Sequence, residues 1–152
     1  AKIWEVKTGK KLFSLEGHTH QVMDVDLKPD MRTLLSAGAD GIVKVWNLVT
    51  GEAKYTIKGY TKEITSLQFI GYESRFLATT AESHVRFLDE RGRAQRSFSG
   101  TADFMNSAAS TPDGAIVVAG GQDGVLRVWN GEDGKLIKDF PAPITAAKVA
   151  KK

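Results

Sequence analysis

The feature that most constrains this chain is an internal repeat of about 42 residues. Aligned on one aromatic or apolar position, the units share the anchors Trp4, Trp46, Leu88 and Trp129. Two further landmarks keep this spacing, an acidic residue six positions before the anchor and a glycine that closes the unit: Asp40, Glu82 and Asp123, and Gly17, Gly59 and Gly100. A period shared by three kinds of position indicates that one supersecondary unit recurs along the chain.

Each complete unit divides into four short runs separated by turn residues. In the first unit the runs are VMDVDL, TLLSAG, IVKVWNL and AKYTIK, and the turns between them include Lys-Pro-Asp and Asp-Gly. Short runs rich in β-branched and aromatic residues, joined by such turns, are typical of antiparallel strands. The pattern predicts an all-β chain built from four-stranded sheets.

The repeat predicts five segments along the chain. The first segment contains only the last two strands of a unit, three units of four strands follow, and the middle one of these is degenerate. The tail is either the first strand of a further unit or disordered. The segments are 1–16, 17–59, 60–100, 101–140 and 141–152.

Composition narrows the classes of function. A hydrophobic fraction of 41% and a charged fraction of 26% are those of a soluble globular protein. The absence of cysteine excludes disulfides and cysteine metal sites, and it leaves the compartment open. No apolar run approaches the roughly 18 residues of a membrane span, and the N-terminus has no signal-peptide shape, so we expect no membrane partner.

The positive charge does not favour a nucleic-acid partner. The net charge of +3 is small and scattered, and the nearest approach to a basic cluster is Arg91, Arg93 and Arg96 in a predicted hairpin. We interpret this cluster as a solvated face.

The marks of the first unit resemble those of a known repeat family. Gly17-His18, the Asp40-Gly41 turn and the closing Trp46-Asn47 are similar to the signature of WD40 repeats, and the resemblance covers about residues 1–140. It implies a β-propeller, of which this chain forms about three and a half blades of four antiparallel strands. It also implies a non-catalytic scaffold for a protein or peptide partner, with no catalytic residue and no cofactor.

By the same resemblance, His18, Ser36, Asp40 and Trp46 form a structural polar network within the first blade. An indole N–H needs an acceptor, a hydroxyl both accepts and donates, and an imidazole passes the bond on to a carboxylate. The other units depart from this set, with Tyr60, Ala78, Glu82 and Leu88 in the second and Thr101, Ala119, Asp123 and Trp129 in the third. We therefore expect the first blade to be the most rigid.

Three weaker patterns do not predict chemistry. His18 and His20 lie near Asp24 without a compelling third ligand, so we expect no metal site. Asp24 and Asp26 share one face of a strand, yet no nucleophile or cofactor loop accompanies them. The glycine-rich segment 120–124 leads into a strand, whereas a phosphate-binding loop leads into a helix, so it is interpreted as a turn.

The resemblance also implies where a partner binds. WD40 partners often contact the residues that enter the first strand of each blade and the residue before the turn acid. At these positions stand Gln21, Met23 and Ala39, then Glu63, Thr65 and Ala81, then Phe104, Asn106 and Gln122. Met23 and Phe104 belong to types enriched at interface cores, although either could instead fill a gap near the channel mouth.

Two questions stay open at the level of sequence. Three and a half blades do not close a ring, so the chain is either one piece of a longer propeller or a unit that assembles with a second copy. A propeller accessory to an enzyme domain elsewhere, and a propeller associated with nucleic acid, are the alternative functions.

Overall fold

The computed structural model describes residues 1–142, which form fourteen β-strands. In chain order they are β1 Lys2–Trp4, β2 Lys11–Ser14, β3 Val22–Leu27, β4 Thr33–Gly38, β5 Val43–Asn47, β6 Glu52–Ile57, β7 Ile64–Phe69, β8 Arg75–Thr80, β9 Val85–Asp89, β10 Ala94–Phe98, β11 Met105–Ser110, β12 Ile116–Gly121, β13 Leu126–Asn130 and β14 Leu136–Phe140. The question of whether the tail 141–152 forms a further strand lies almost entirely outside the described residues.

Consecutive strands pair in antiparallel fashion to give three four-stranded sheets and one two-stranded sheet. The sheets are β3-β4-β5-β6 (blade 1), β7-β8-β9-β10 (blade 2) and β11-β12-β13-β14 (blade 3), with β1-β2 as a half blade before them. The predicted all-β class and the four-stranded units are confirmed.

Local chemistry accounts for the turns that end the strands. The Asp30 carboxylate accepts the backbone N–H groups of Arg32 and Thr33, which closes the turn between β3 and β4. Gly41 has a φ of +70°, and a Cβ there would lie 2.5 Å from the carbonyl oxygen of Tyr60. Only glycine adopts this positive φ and leaves room for the carbonyl oxygen without strain.

The apolar core lies between sheets. Leu35 and Val43 of blade 1 pack with Ile64, Leu67 and Phe69 of blade 2, and all five are at most 5% exposed. A second cluster joins blades 2 and 3 in the same manner, and a third joins the half blade to blade 1. Each blade is therefore stabilised by burying one face against the next.

An ion cluster also joins blades 1 and 2. The Glu90 carboxylate lies 3.1 Å from the Lys28 ammonium and 2.8 Å from that of Lys54. Burial alone would raise the pKa of Glu90, but the bonds from Lys54 and Lys28 outweigh burial and lower it. The Lys28 and Glu90 side chains are only 9% and 11% exposed, so each ion depends on the other for compensation.

Candidate partner-binding face and the polar network beside it

A β-bulge occurs at the same point of all three blades. The pairing of β3 with β4 passes from Val22↔Gly38 to Asp24↔Ala37, which leaves Met23 without a partner. The pairings of β7 with β8 and of β11 with β12 skip Thr65 and Asn106 in the same way. Because a bulge turns a side chain away from the regular pleat, these three residues are set apart at the entrance of each first strand.

The other predicted partner-binding positions adjoin the bulges. The residue that precedes each first strand accepts, through its carbonyl oxygen, the N–H of the residue before the turn acid. These bonds are Ala39 to Gln21 at 2.8 Å, Ala81 to Glu63 at 3.0 Å and Gln122 to Phe104 at 2.9 Å. The structure thus brings the predicted residues of each blade together, and the packing of β3 on β7 and of β7 on β11 sets the blades side by side. We call this surface the entrance face.

The side chains of the entrance face differ in their freedom to bind. Gln21, Met23, Asn106 and Gln122 are exposed, with Met23 at 46%. Thr65 is committed within the fold, since its hydroxyl donates to the carbonyl of Met105 at 2.7 Å and lies 2.8 Å from the Thr79 hydroxyl.

Four entrance-face residues remain: Ala39, Glu63 and Phe104 are half-buried, and Ala81 is buried. Besides the alanines, the face therefore offers three amides, two large apolar side chains and one carboxylate. This mixture suits the recognition of a peptide or protein through hydrogen bonds and apolar contact.

Beside this face, four side chains of blade 1 form a continuous chain of hydrogen bonds. The Trp46 indole N–H donates to Ser36 Oγ at 2.8 Å, and Ser36 Oγ lies 2.8 Å from His18 Nε2. His18 Nδ1 lies 3.0 Å from Asp40 Oδ2, and the Thr19 amide donates to the same oxygen. A consistent assignment has Ser36 donating to Nε2 and His18 donating from Nδ1, so that every polar group is satisfied.

Local backbone geometry allows the histidine and the aspartate to meet. A Cβ on Gly38 would lie 2.2 Å from Asp40 Oδ1 and 2.5 Å from His18 Nδ1, so the pair occupies the space that a side chain would fill. Burial alone would raise the pKa of Asp40, but the hydrogen bonds from Thr19 and His18 outweigh burial and lower it. The carboxylate is therefore held in its charged form.

Blade 2 lacks this network and uses other contacts at the same positions. Glu82 accepts the Thr61 amide at 3.0 Å, as Asp40 accepts that of Thr19. Burial raises the pKa of Tyr60 against the opposing charge of Arg86, and burial together with Arg86 lowers the pKa of His84.

Blade 3 keeps a buried tryptophan without the serine. The Trp129 indole donates to the carbonyl oxygen of Ser99 at 2.8 Å, so a backbone acceptor replaces the hydroxyl. Asp123 pairs with Arg127 at 2.7 Å rather than with a histidine. The sequence pattern does not reveal the first substitute, because Ser99 is a backbone acceptor that follows the last strand of blade 2.

The structure gives His18, Asp24 and Asp26 of blade 1 roles within the fold. Both ring nitrogens of His18 are engaged, and Asp24 and Asp26 accept the backbone N–H groups of Leu67 and Phe69 at 2.7 and 2.6 Å. Within residues 1–142 no group of three or more His, Cys, Asp or Glu is arranged to hold a metal ion. The two aspartates thus join blade 1 to blade 2. This role cannot be predicted from the sequence without knowing which strands are neighbours.

The basic cluster is spread over separate contacts. Arg93 pairs with Asp89 at 2.6 Å, Arg91 lies over the ring of Tyr55, and Arg96 lies on the next strand. The described part of the chain also contains no helix long and apolar enough to cross a membrane.

Comparisons with known proteins agree with this architecture. The family model described as "WD domain, G-beta repeat" matches residues 9–47 and 92–130, which together make up more than half of the chain. Among solved structures, the computationally designed Ika8 protein superposes with a TM-score of 0.80 and is 29% identical. That match covers 91% of this chain and 42% of the designed chain, so this chain spans less than half of that protein's length. No curated protein matches significantly.

Proposed function

Because the chain belongs to the WD40-repeat family, we propose that its entrance face holds a peptide or protein partner and that the chain carries out no chemistry of its own. WD40 domains act in general as non-catalytic scaffolds for protein interaction. Similarity of fold does not identify the binding surface, so we infer that surface from the side chains and geometry of the site.

The observation that supports this surface is the repeated bulge. Met23, Thr65 and Asn106 each lie at a bulge at the same end of neighbouring strands, next to Gln21 or its counterparts. An exposed methionine with free amides beside it provides an adaptable apolar contact and directional hydrogen bonds. The partner is expected to bind across the first strands of at least two blades.

A selection experiment tests the proposal without a known partner. Peptides are selected from a random phage-displayed library on the immobilised full chain, and their Kd values are measured by calorimetry. Met23→Asp places a charge on the entrance face and is expected to weaken the selected peptides at least tenfold. The control is Tyr72→Asp, in the turn between β7 and β8 at the opposite end of blade 2, where the side chain is 76% exposed.

Two results would overturn this assignment. One is a set of selected peptides that bind Met23→Asp as tightly as the unchanged chain. The other is a loss of binding in Tyr72→Asp, which would place the partner at the other end of the strands. Circular dichroism checks that both variants keep their β-structure.

We also propose that the chain works within a larger propeller or assembly. Leu126 is 46% exposed, whereas its counterpart in blade 2, Val85, is 1% exposed; Phe140 and its counterpart Phe98 are 51% and 2% exposed. Apolar positions that blades 1 and 2 bury are thus open on the outer side of blade 3. Light scattering tests this: a particle larger than 16.5 kDa, or association with added blades, is expected, and a stable monomer that binds none contradicts it.

A further inference from the structure

A polar cavity of about 310 Å³ lies where blade 2 meets the last strand of blade 1, at the end of the strands opposite the entrance face. Blade 1 supplies Tyr55 of β6, and blade 2 supplies Ser74 of the turn between β7 and β8. Four further lining residues come from the end of β9 and the turn that follows it: Asp89, Glu90, Arg91 and Arg93. We call this cavity the rim pocket.

The two carboxylates of the rim pocket are already engaged within the fold. One oxygen of Asp89 accepts the backbone N–H groups of Arg91 and Arg93, and the other accepts the Arg93 Nε–H at 2.6 Å. Each oxygen of Glu90 contacts one lysine ammonium group of blade 1, at 3.1 and 2.8 Å. The negative charges of the pocket are therefore compensated by the protein itself.

The two arginines that line the pocket keep donors for a ligand. Among the described residues, the Arg93 side chain donates only through its Nε–H, and it is 76% exposed, so its two terminal nitrogens are open. Arg91 pairs with no carboxylate of residues 1–142, and its guanidinium carbon lies 5.8 Å from the centre of the Tyr55 ring. Because Tyr55 packs on the core between blades 1 and 2, this cation–π contact orients the Arg91 guanidinium.

A hydroxyl and an excess of positive charge complete the pocket. Ser74 Oγ accepts from the Lys28 ammonium group at 3.4 Å, which leaves its own O–H available as a donor. The pocket and the ion cluster beside it combine two carboxylates with four cations, which are Lys28, Lys54, Arg91 and Arg93. The adjoining Asp30 and Arg32 add one charge of each sign. The excess of two positive charges matches an anion that carries two negative charges.

We propose that the rim pocket binds a phosphate monoester carried by a peptide, such as a phosphorylated serine or threonine side chain. This group has a charge of about −1.5 to −2 at pH 7 and three strong acceptor oxygens. Arg91 and Arg93 offer paired N–H donors that match phosphate oxygens, and the Ser74 hydroxyl supplies a further donor. A carboxylate side chain would compensate only one of the two excess charges.

The positive charge is confined to one place, which favours a phosphorylated peptide over a nucleic acid. Arg96, the third arginine of this hairpin, does not line the pocket, and its side-chain carbons lie against Gly134 of blade 3. Nucleic-acid binding relies on a patch or row of cations that contacts successive phosphates. A pocket with two arginines for one phosphate instead resembles the way in which arginine clusters recognise phosphorylated peptides.

A peptide array serves as the probe. Each peptide has a fixed central phosphoserine and random flanking residues, and the strongest binder of the full chain is then studied in solution. Matched peptides carry serine or glutamate in place of the phosphoserine, and inorganic phosphate is titrated separately. Binding is followed by the backbone amide signals in nuclear magnetic resonance spectra, at about 0.15 M salt to screen non-specific attraction.

The phosphopeptide is expected to bind at least tenfold more tightly than its serine and glutamate versions and than inorganic phosphate. The amide signals of Ser74, Arg91 and Arg93 are expected to shift. Arg91→Gln should weaken binding at least tenfold, and Arg91→Lys, which keeps the charge without the paired donors, should recover only part of the loss. Two controls should leave binding unchanged: Arg96→Gln, in the same hairpin, and Met23→Asp, on the entrance face.

Four results would each overturn the inference. The first is an array on which no phosphopeptide binds the folded chain. The second is binding that survives unchanged in Arg91→Gln. The third is equal affinity for the phosphopeptide and for its glutamate version or inorganic phosphate. The fourth is tighter binding of a single-stranded oligonucleotide that is lost in Arg96→Gln, which would assign these arginines to a nucleic-acid partner. The entrance-face proposal is tested separately, because its site lies at the other end of the strands.

Discussion

Ser36→Ala is the sharpest test of the polar network in blade 1. The hydroxyl is fully buried, accepts the Trp46 indole N–H at 2.8 Å and lies 2.8 Å from His18 Nε2. Each lost bond is worth about 1 kcal/mol net, and an unsatisfied buried donor costs about 1–3 kcal/mol. We expect the free energy of unfolding to fall by about 2–3 kcal/mol, and Tm by roughly 5–10 °C for a chain of this length.

The assay is urea unfolding followed by tryptophan fluorescence and checked by far-ultraviolet circular dichroism. Ser107→Ala, at an exposed position of β11, is the matched control and should change stability by no more than about 0.5 kcal/mol. A double-mutant cycle with Trp46→Phe isolates the indole–hydroxyl bond, and a coupling energy of about 1 kcal/mol or more is expected. A loss below about 0.5 kcal/mol for Ser36→Ala, with no coupling, would refute the reasoning.

Three further predictions follow from the same structure. In urea unfolding, Glu90→Ala should lower the free energy of unfolding by about 3 kcal/mol, because it leaves the Lys28 ammonium buried and uncompensated. The control Lys135→Ala, in a pair whose lysine is 82% exposed, should cost less than about 0.5 kcal/mol. Equal losses in the two variants would contradict this prediction. Because the fold lowers the pKa of Asp40 below its ordinary value of 3.8, its contribution to stability is complete above that value and is lost as pH falls through the folded pKa. Urea unfolding should therefore show a steeper loss of stability as pH falls below 3.8 for the unchanged chain than for Asp40→Asn, and parallel curves would contradict it. Gly38→Ala should displace the Asp40 side chain and remove the histidine–aspartate contact, which the histidine ring signals in a nuclear magnetic resonance spectrum would report; unchanged signals would contradict it.

Much of the fold could be predicted from local patterns. The four runs of the first unit differ from β3 to β6 by at most one residue at either end, because proline, aspartate and glycine mark the strand ends. The repeat period also predicts the strands of the degenerate unit, where Leu88 replaces tryptophan. Taken alone, that stretch has no tryptophan at the repeated position by which to align it.

The contacts between blades could not be predicted in this way. Asp24 and Asp26 alternate on a strand, and only the placement of β7 beside β3 shows that they accept amides 43 residues further along the chain. The Glu90 cluster joins residues 36 and 62 positions apart. Such pairings depend on tertiary packing, which the local spacing of residues in a single sequence does not predict.

The first strands of the blades combine two tasks, and this combination bears on how the entrance face binds. Below the bulge, Asp24 and Asp26 fix β3 to β7, and Gln68 fixes β7 to β11. The residues at the bulges, including Met23, therefore lie on strands that are joined to one another by hydrogen bonds from side chains to the backbone. A rigid row of this kind loses little conformational entropy on binding, so affinity should depend on the few exposed side chains at its end. Breaking one tie, as in Asp26→Ala, should consequently weaken entrance-face peptides although Asp26 does not lie on that face.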